Sequence, residues 1–397
     1  RVGPLRYDTL LMPTRLIAPI AMRAANLRIE RVRVGDLATV PNFLAKVETE
    51  KKAHIAFLGG SITQQSKGHV SMVPAWLREQ YPDCEFTVTN AGLSSTCSVS
   101  GAFRFKDHVL AKGDVDLLVF EYAVNDDQDG FHSREQAMRS YEGIIRQFRT
   151  ANPDGEALCI MYVNENLLKL ADEGKESVSI DAHKTVARHY NLANVDIAMA
   201  LSHDIKAGNN SWEQYGGVHP NKVGYRFATD QIIEVFKRSS SDPTGAITLP
   251  EALNPNHYGN ARFVGVEDAS WLGGWTLGKA NKELMPLGGV RKDYTSYTAI
   301  RADEPGSMLY FNFTGKMVGA FVMAGPDAGA VEVSIDGGEW KTVELYHKYS
   351  KGLNYPRSVV FADGMQPKYH QLALRTRKSA NETSQGAAAT ILFFEVN

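Results

Sequence analysis

The chain has 397 residues, 43% hydrophobic and 22% charged, with a formal net charge of −2. That length exceeds one ordinary domain and the composition is that of a globular protein, so two folded domains are expected and extensive disorder is excluded. The balanced charge gives no basic surface for nucleic acid or an anionic membrane, and no apolar run reaches the roughly 20 residues needed to cross a bilayer. Three cysteines (Cys84, Cys97, Cys159) lie outside any CxxC or Cys/His spacing, so neither a disulfide framework nor a cysteine-based metal site is expected.

The first 45 residues read as an N-terminal arm, with a candidate strand at 27–34. The chain begins at Arg1 rather than Met. A removed signal peptide or a trimmed terminus would each explain that, and the former makes a secreted or periplasmic location the expectation. From about residue 53 apolar runs alternate with amphipathic stretches. Ala53–Leu58 reads as a buried strand ending at Gly59-Gly60, 85–89 as a second, and 115–122 (VDLLVFEY) as a third, apolar enough to be covered on both faces. Ser133-Arg134-Glu135-Gln136 is a capping-box signature. Behind it Ala137, Tyr141, Ile144, Ile145 and Phe148 form one apolar helical face. A strand at 157–163, a helix through 180–190 and a last helix at about 222–237 complete the alternation. The expected fold is α/β: a flavodoxin-like parallel sheet with helices on both faces, spanning 46–240.

The polar, Pro- and Gly-containing stretch 238–245 reads as a linker. Beyond it helical periodicity gives way to alternation, as in Leu309/Phe311/Phe313 and Val331/Val333/Ile335. The latter run meets Asp336-Gly337-Gly338, a hairpin signal. Residues 246–397 are expected to be a β-sandwich of the jelly-roll kind, with Trp271, Trp275, Trp340, Tyr346, Tyr349 and Tyr355 as the candidates for carbohydrate contact, although core packing accounts for most aromatics in a sandwich.

Four short blocks in the α/β half carry chemistry. Gly59-Gly60-Ser61-Ile62-Thr63 places a serine on a turn behind a strand, ahead of a helix whose N-terminal N–H groups would point at it. Asn90-Ala91-Gly92 follows the second strand, where a glycine lets a bare backbone N–H approach a reacting carbonyl oxygen. Ala123-Val124-Asn125-Asp126 closes the third strand with a side-chain amide. Gly217-Val218-His219-Pro220-Asn221 precedes the last helix with a histidine suited to general-base work. Singly, each is as well explained by a turn, a cap or a structural histidine. Together, in this order and at the carboxyl ends of strands or in a late loop, they lie where open α/β sheets build their sites.

This combination resembles the SGNH (GDSL-like) hydrolase family over roughly residues 40–240. The resemblance implies Ser61 as nucleophile, His219 as its base, and an oxyanion hole of the Ser61 N–H, the Gly92 N–H and the Asn125 amide. No cofactor and no metal are implied. The stretch 40–46 with Gly-Gly-Ser-Ile-Thr is also similar to the branch of carbohydrate esterases that remove acetyl groups from plant or algal polysaccharides. Two positions depart from the family pattern. Ala123 stands for a glycine, and Gly216 stands where the family places the aspartate that orients the histidine. Either a Ser61–His219 dyad with a backbone or water acceptor is expected, or a displaced acid, with Glu213 and Asp204 the candidates.

Asp126, Asp127 and Asp129 are expected to form a solvated loop face, and His132, His183, His189 and His203 lack metal-ligand spacing. The expected function is a serine esterase acting on an acetylated polysaccharide or oligosaccharide, without nucleic-acid or membrane partners. The alternatives are a repurposed domain that binds a glycan or cleaves it through Glu121, Asp126 or Asp127, and a lipase or thioesterase.

Overall fold

The computed structural model describes residues 38–397; the candidate strand at 27–34 and most of the arm lie outside the described residues. Five parallel strands, β1 (Lys52–Gly59), β2 (Glu85–Gly92), β3 (Leu117–Phe120), β4 (Glu156–Met161) and β5 (Ala193–Asp196), form one sheet in the order β2-β1-β3-β4-β5. The order reverses at β1, so the carboxyl ends of β1, β2 and β3 meet at the switch point of an open sheet. β3 and β4 are buried along their whole length because helices cover both faces. On one face, helices Ser98–His108, Arg134–Ala151 and Val178–His189 pack side by side. On the other, Pro41–Thr49, His69–Gln80 and Lys222–Arg238 meet through Phe43, Trp76 and Phe236. Ser133 caps the 134–151 helix by accepting from the Gln136 N–H, as its capping-box sequence requires.

Two expectations need adjustment. The division between arm and domain at 45/46 falls inside the helix Pro41–Thr49, whose Phe43, Leu44 and Val47 are buried in the α/β core. Asn125 does not close a strand: β3 stops at Phe120, the backbone turns at Tyr122 (ψ 5°), and Asn125 sits in the short helix Ala123–Gln128.

Beyond residue 261 the chain forms two antiparallel sheets. One is β13 (Lys341–Glu344), β12 (Ala330–Ile335), β15 (Lys368–Arg377), β10 (Met308–Gly315) and β7 (Ala269–Leu272). The other is β14 (Tyr355–Ala362), β11 (Val318–Ala324), β16 (Ala389–Val396), β9 (Thr298–Ala302) and β8 (Trp275–Lys279), with β6 (Arg262–Gly265) also on β16. They face each other across a shared core in which Phe311 stacks on Phe394 at 4.0 Å. The β12–β13 hairpin turns at Asp336 and Gly337, both with positive φ, which the Asp-Gly pair supplies.

The stretch read as a linker is stitched to the α/β half. Asn42 Nδ2 donates to the Gly245 carbonyl (2.8 Å), and its Oδ1 accepts from the Thr244 N–H (2.7 Å). Farther on, Glu142 accepts from the N–H groups of Leu253 and Asn254. Asp363 of the β half accepts from Arg139 (2.7 Å) and from the buried Tyr258 hydroxyl (2.8 Å). Another buried tyrosine, Tyr294, donates to the Ser94 carbonyl at 2.9 Å. These contacts, two of them anchored by the buried side chains of Tyr258 and Tyr294, hold the halves together far better than an exposed tether does.

Candidate active site

β1 delivers the chain to Gly59 and Gly60, and Ser61 opens a helical turn, Ser61–Gln64. Neither glycine has positive φ; each is required by close approach. A Cβ on Gly59 would lie 2.3 Å from Glu121 Oε1, and one on Gly60 would lie 2.3 Å from Asn125 Oδ1. Glu121 braces the turn from below, its Oε1 accepting from the Gly60 N–H (3.0 Å) and the Thr63 hydroxyl (2.7 Å). Its Oε2 is buried without a partner, and burial pushes this carboxyl up to about 7. The helix after Ser61 is four residues long, so the expected field of a long helix N-terminus is not what surrounds the serine; local groups are.

Ser61 Oγ donates to His219 Nε2 at 2.8 Å, across 158 positions of sequence. His219 lies in the exposed loop between the short helix Trp212–Tyr215 and the helix Lys222–Arg238. That last helix is fixed to the Ser61 turn by the Tyr225 hydroxyl, which donates to the Ile62 carbonyl (2.8 Å), so base and nucleophile share one support. Among the described residues, no carboxylate reaches the other nitrogen of His219. Glu213 is exposed, and hydrogen bonds from its own backbone N–H and from the Ser211 side chain hold its carboxyl below the ordinary range. Asp204 accepts from Asn209 and Asn210. Gly216 is the left-handed cap of the helix Trp212–Tyr215 (φ +100°), and the space a side chain would need is taken by Asn221, whose N would lie 2.4 Å from a Cβ.

Asn125 lies beside this pair. Its Nδ2 donates to Asp129 Oδ2 (2.8 Å), leaving the second amide hydrogen for another acceptor. Gly92 is placed differently from the expectation. Its N–H donates to Asn90 Oδ1 (2.9 Å), it does not border the cavity at Ser61, and a Cβ on it would lie 2.3 Å from the Gln64 N. What Gly92 provides is closeness between β2 and the Ser61 turn. The loop residue that does border the cavity is Ser95, held at φ +69° and buried. Sequence reasoning missed it, because a serine in the left-handed region carries no compositional signal.

The acidic cluster is not a solvated face. Asp126 is buried and accepts from the Ser98 N–H (2.8 Å) and His183 Nε2 (2.9 Å), with His132 Nδ1 at 3.2 Å. Burial opposes its charge, but the two imidazoles overcome that and hold the carboxyl below its ordinary range. Cys97, Asp126 and His132 bring ligand-type atoms within 4.8 Å of one another, a grouping of distant loops that sequence spacing does not disclose. Asp129 is likewise buried, and burial pushes its carboxyl up. Asp127 accepts from Asn164 and Asn166. None of the three, nor Glu121, faces Ser61 as a second nucleophile–base pair.

A cavity of about 650 Å³ opens at Ser61 and His219. One wall comes from the α/β half (Gln65, Ser95, Asn125), the other from the β half (Arg291, Tyr349, Leu353, Tyr355). Tyr349 is 41% exposed, whereas Trp275, Tyr346 and Tyr355 are buried and Trp340 lies under Arg375. A larger cavity of about 720 Å³, lined by Arg149, Glu156, Tyr190 and Ile247 among others, contains no such nucleophile–base pair.

The α/β half and the whole architecture can be compared with known proteins. Residues 57–227 match the model of the GDSL-like lipase/acylhydrolase family. No curated protein matches the sequence. Among solved structures, a two-domain esterase active on acetylated mannans, co-crystallised with mannopentaose, superimposes with a TM-score of 0.73 at 21% identity, covering 92% of this chain and 97% of that one. A second structure of a two-domain esterase active on acetylated mannans gives 0.71 at 20% identity, covering 90% and 95%. At that identity the likeness establishes a shared two-domain fold. Family model, sheet order and the order of the four blocks agree: over residues 57–227 the α/β domain is similar to the GDSL-like lipase/acylhydrolase family.

Proposed function

We propose that this protein is a serine esterase that removes O-acetyl groups from a polysaccharide or oligosaccharide through an acyl-enzyme. The observation that carries the reading is the 2.8 Å hydrogen bond from Ser61 Oγ to His219 Nε2 at the mouth of a cavity bordered by Asn125. His219 takes the Ser61 proton as Oγ attacks the acetyl carbonyl. The resulting oxyanion is held by the Ser61 N–H and the free amide hydrogen of Asn125. With the Gly92 N–H engaged by Asn90, the Ser95 N–H, which has no acceptor among the described residues, is the candidate for the third donor. His219 then returns the proton to the departing sugar oxygen. Water, deprotonated by the same imidazole, attacks the acetyl-enzyme, and acetate leaves with Ser61 reprotonated. The reading includes a dyad, since neither Glu213 nor Asp204 reaches His219.

Similarity to a fold that in another protein acts on acetylated mannans supports a glycan substrate. The reading includes a jelly-roll β domain that touches carbohydrate and an extracellular site of action. Ser61→Ala should abolish release of acetate from acetylated mannan or xylan and of 4-nitrophenol from its acetate, with the melting temperature changed by no more than a few degrees. A fluorophosphonate should label the wild type at Ser61 only. Full activity in Ser61→Ala refutes the assignment. That no carboxylate among the described residues reaches His219 favours one other reading, a glycan-binding domain with little hydrolysis, which wild-type inertness toward every acetyl ester together with retained glycan binding would support.

A further inference from the structure

The wall that the β domain contributes to the cavity carries a cation with nothing to balance it. Most arginines among the described residues are engaged: Arg104 donates to two backbone carbonyls and Tyr122, Arg139 to Asp363, Arg301 to Asp327. Arg291 borders the cavity and makes no side-chain hydrogen bond or ion pair among the described residues. The one carboxylate bordering the same cavity, Asp129, is tied to Asn125 at 2.8 Å, and burial raises its affinity for a proton. It therefore offers Arg291 little compensation.

The backbone around Arg291 is built rather than loose. The segment before it is laced to the neighbouring lip, the Gly289 N–H donating to the Gly352 carbonyl (2.8 Å) and the Asn354 N–H to the Gly289 carbonyl (2.8 Å). Asn354 Nδ2 adds a bond to the Leu287 carbonyl (2.7 Å). Three residues on, buried Tyr294 pins the segment to Ser94, next to Ser95 of the opposite wall. Arg291 is thus held from both sides with its guanidinium unspent. A planar fork of donors in that position matches the two oxygens of a carboxylate or sulfate, and the same cavity is bordered by Tyr349, which is 41% exposed.

We infer that the cavity selects an anionic glycan, with Arg291 clasping a carboxylate or sulfate on the acetylated sugar or its neighbour while the acetyl group reaches Ser61. The inference rests on the esterase reading above and deepens it. The test compares kcat/KM on acetylated homogalacturonan, the same polymer with its carboxylates methyl-esterified, a sulfated acetylated galactan, and neutral acetylated mannan. The wild type should prefer an anionic polymer over the methyl-esterified one by about ten- to a hundredfold, the range of one charge-assisted bidentate contact. The preference should shrink as salt rises. The homogalacturonan and galactan arms decide between carboxylate and sulfate. In Arg291→Ala the ratio of anionic to methyl-esterified activity should collapse toward one, and Arg291→Lys should recover only part of it. A wild type that hydrolyses 4-nitrophenyl acetate and acetylated mannan but shows no anionic preference overturns this inference and leaves the esterase reading standing. A wild type inert toward every ester overturns both. A preference that survives Arg291→Ala also overturns the role of Arg291.

Discussion

Gly92 offers a sharp test because two accounts of it predict opposite results. As a donor, its contribution is a backbone N–H, which alanine also has. As a spacer, its contribution is the absence of a Cβ. In the structure an added Cβ would sit 2.3 Å from the Gln64 N and 2.5 Å from the Thr63 carbonyl carbon, both backbone atoms of the turn that carries Ser61. Ordinary contact for a Cβ begins near 3.4 Å, so β2 and the serine turn must separate by roughly 1 Å. Overpacking of that size costs about 1–3 kcal/mol of stability. Because the displaced turn holds Oγ at 2.8 Å from His219, a shift of about 1 Å should cost on the order of 10² in turnover. Gly92→Ala should therefore fold, melt several degrees lower, and lose about two orders of magnitude in kcat on 4-nitrophenyl acetate with little change in KM. Activity within threefold of the wild type would refute the spacer account and restore the N–H as the reason for the glycine.

Gly216→Asp reinstates the family's aspartate in sequence but should not rescue a triad. The position has φ +100° and its Cβ space is filled by Asn221, so stability should fall by roughly 2–4 kcal/mol without a gain in kcat, checked by denaturant melts and ester kinetics. Glu213→Gln and Asp204→Asn should each keep activity within about tenfold, since neither carboxylate reaches His219; a drop of about a thousandfold in either would identify a hidden acid. Stability should fall as pH rises from about 6.5 to about 8.5. Burial pushes the carboxyls of Glu121 and Glu156 up to about 7 and that of Glu395 up to about 8, so what they contribute is full below the ordinary carboxylate range and is lost through these values. The imidazoles of buried His69 and His347 and of half-buried His108, lowered by burial to about 3, 4 and 4, act in the opposite sense but only below about 6.5. A melting temperature that is flat or rising over that interval contradicts this balance.

The parallel sheet was legible because doubly covered strands are apolar throughout, as 117–120 is, and because their helices carry clean periodicity and caps, as at Ser133. Ser61, Asn125 and His219 were legible as residues, each beside a strand end or in a late loop. What each one touches was not. The spacer role of Gly92 depends on a backbone 28 positions away at Gln64, and the pairing of buried Asp126 depends on His132 from the loop after it and His183 from the helix Val178–His189. The serine at 95 looked like any loop serine until its φ was known. Likewise 238–245 has the composition of a tether, yet Asn42, a short polar side chain far upstream, binds it down.

The bond from Tyr294 to the Ser94 carbonyl has a bearing on ancestry. The loop that carries Ser95 to the cavity is strutted on one side by Gln64, which accepts from the Ser94 hydroxyl, and on the other by a tyrosine of the β domain. Part of the site's shape is therefore encoded 200 residues farther along the chain than the loop it supports, outside the segment 57–227 that matches the family model. Exchanging the second domain as a cassette would remove that strut, whereas a substitution at 94 would keep it, since the acceptor is a backbone carbonyl.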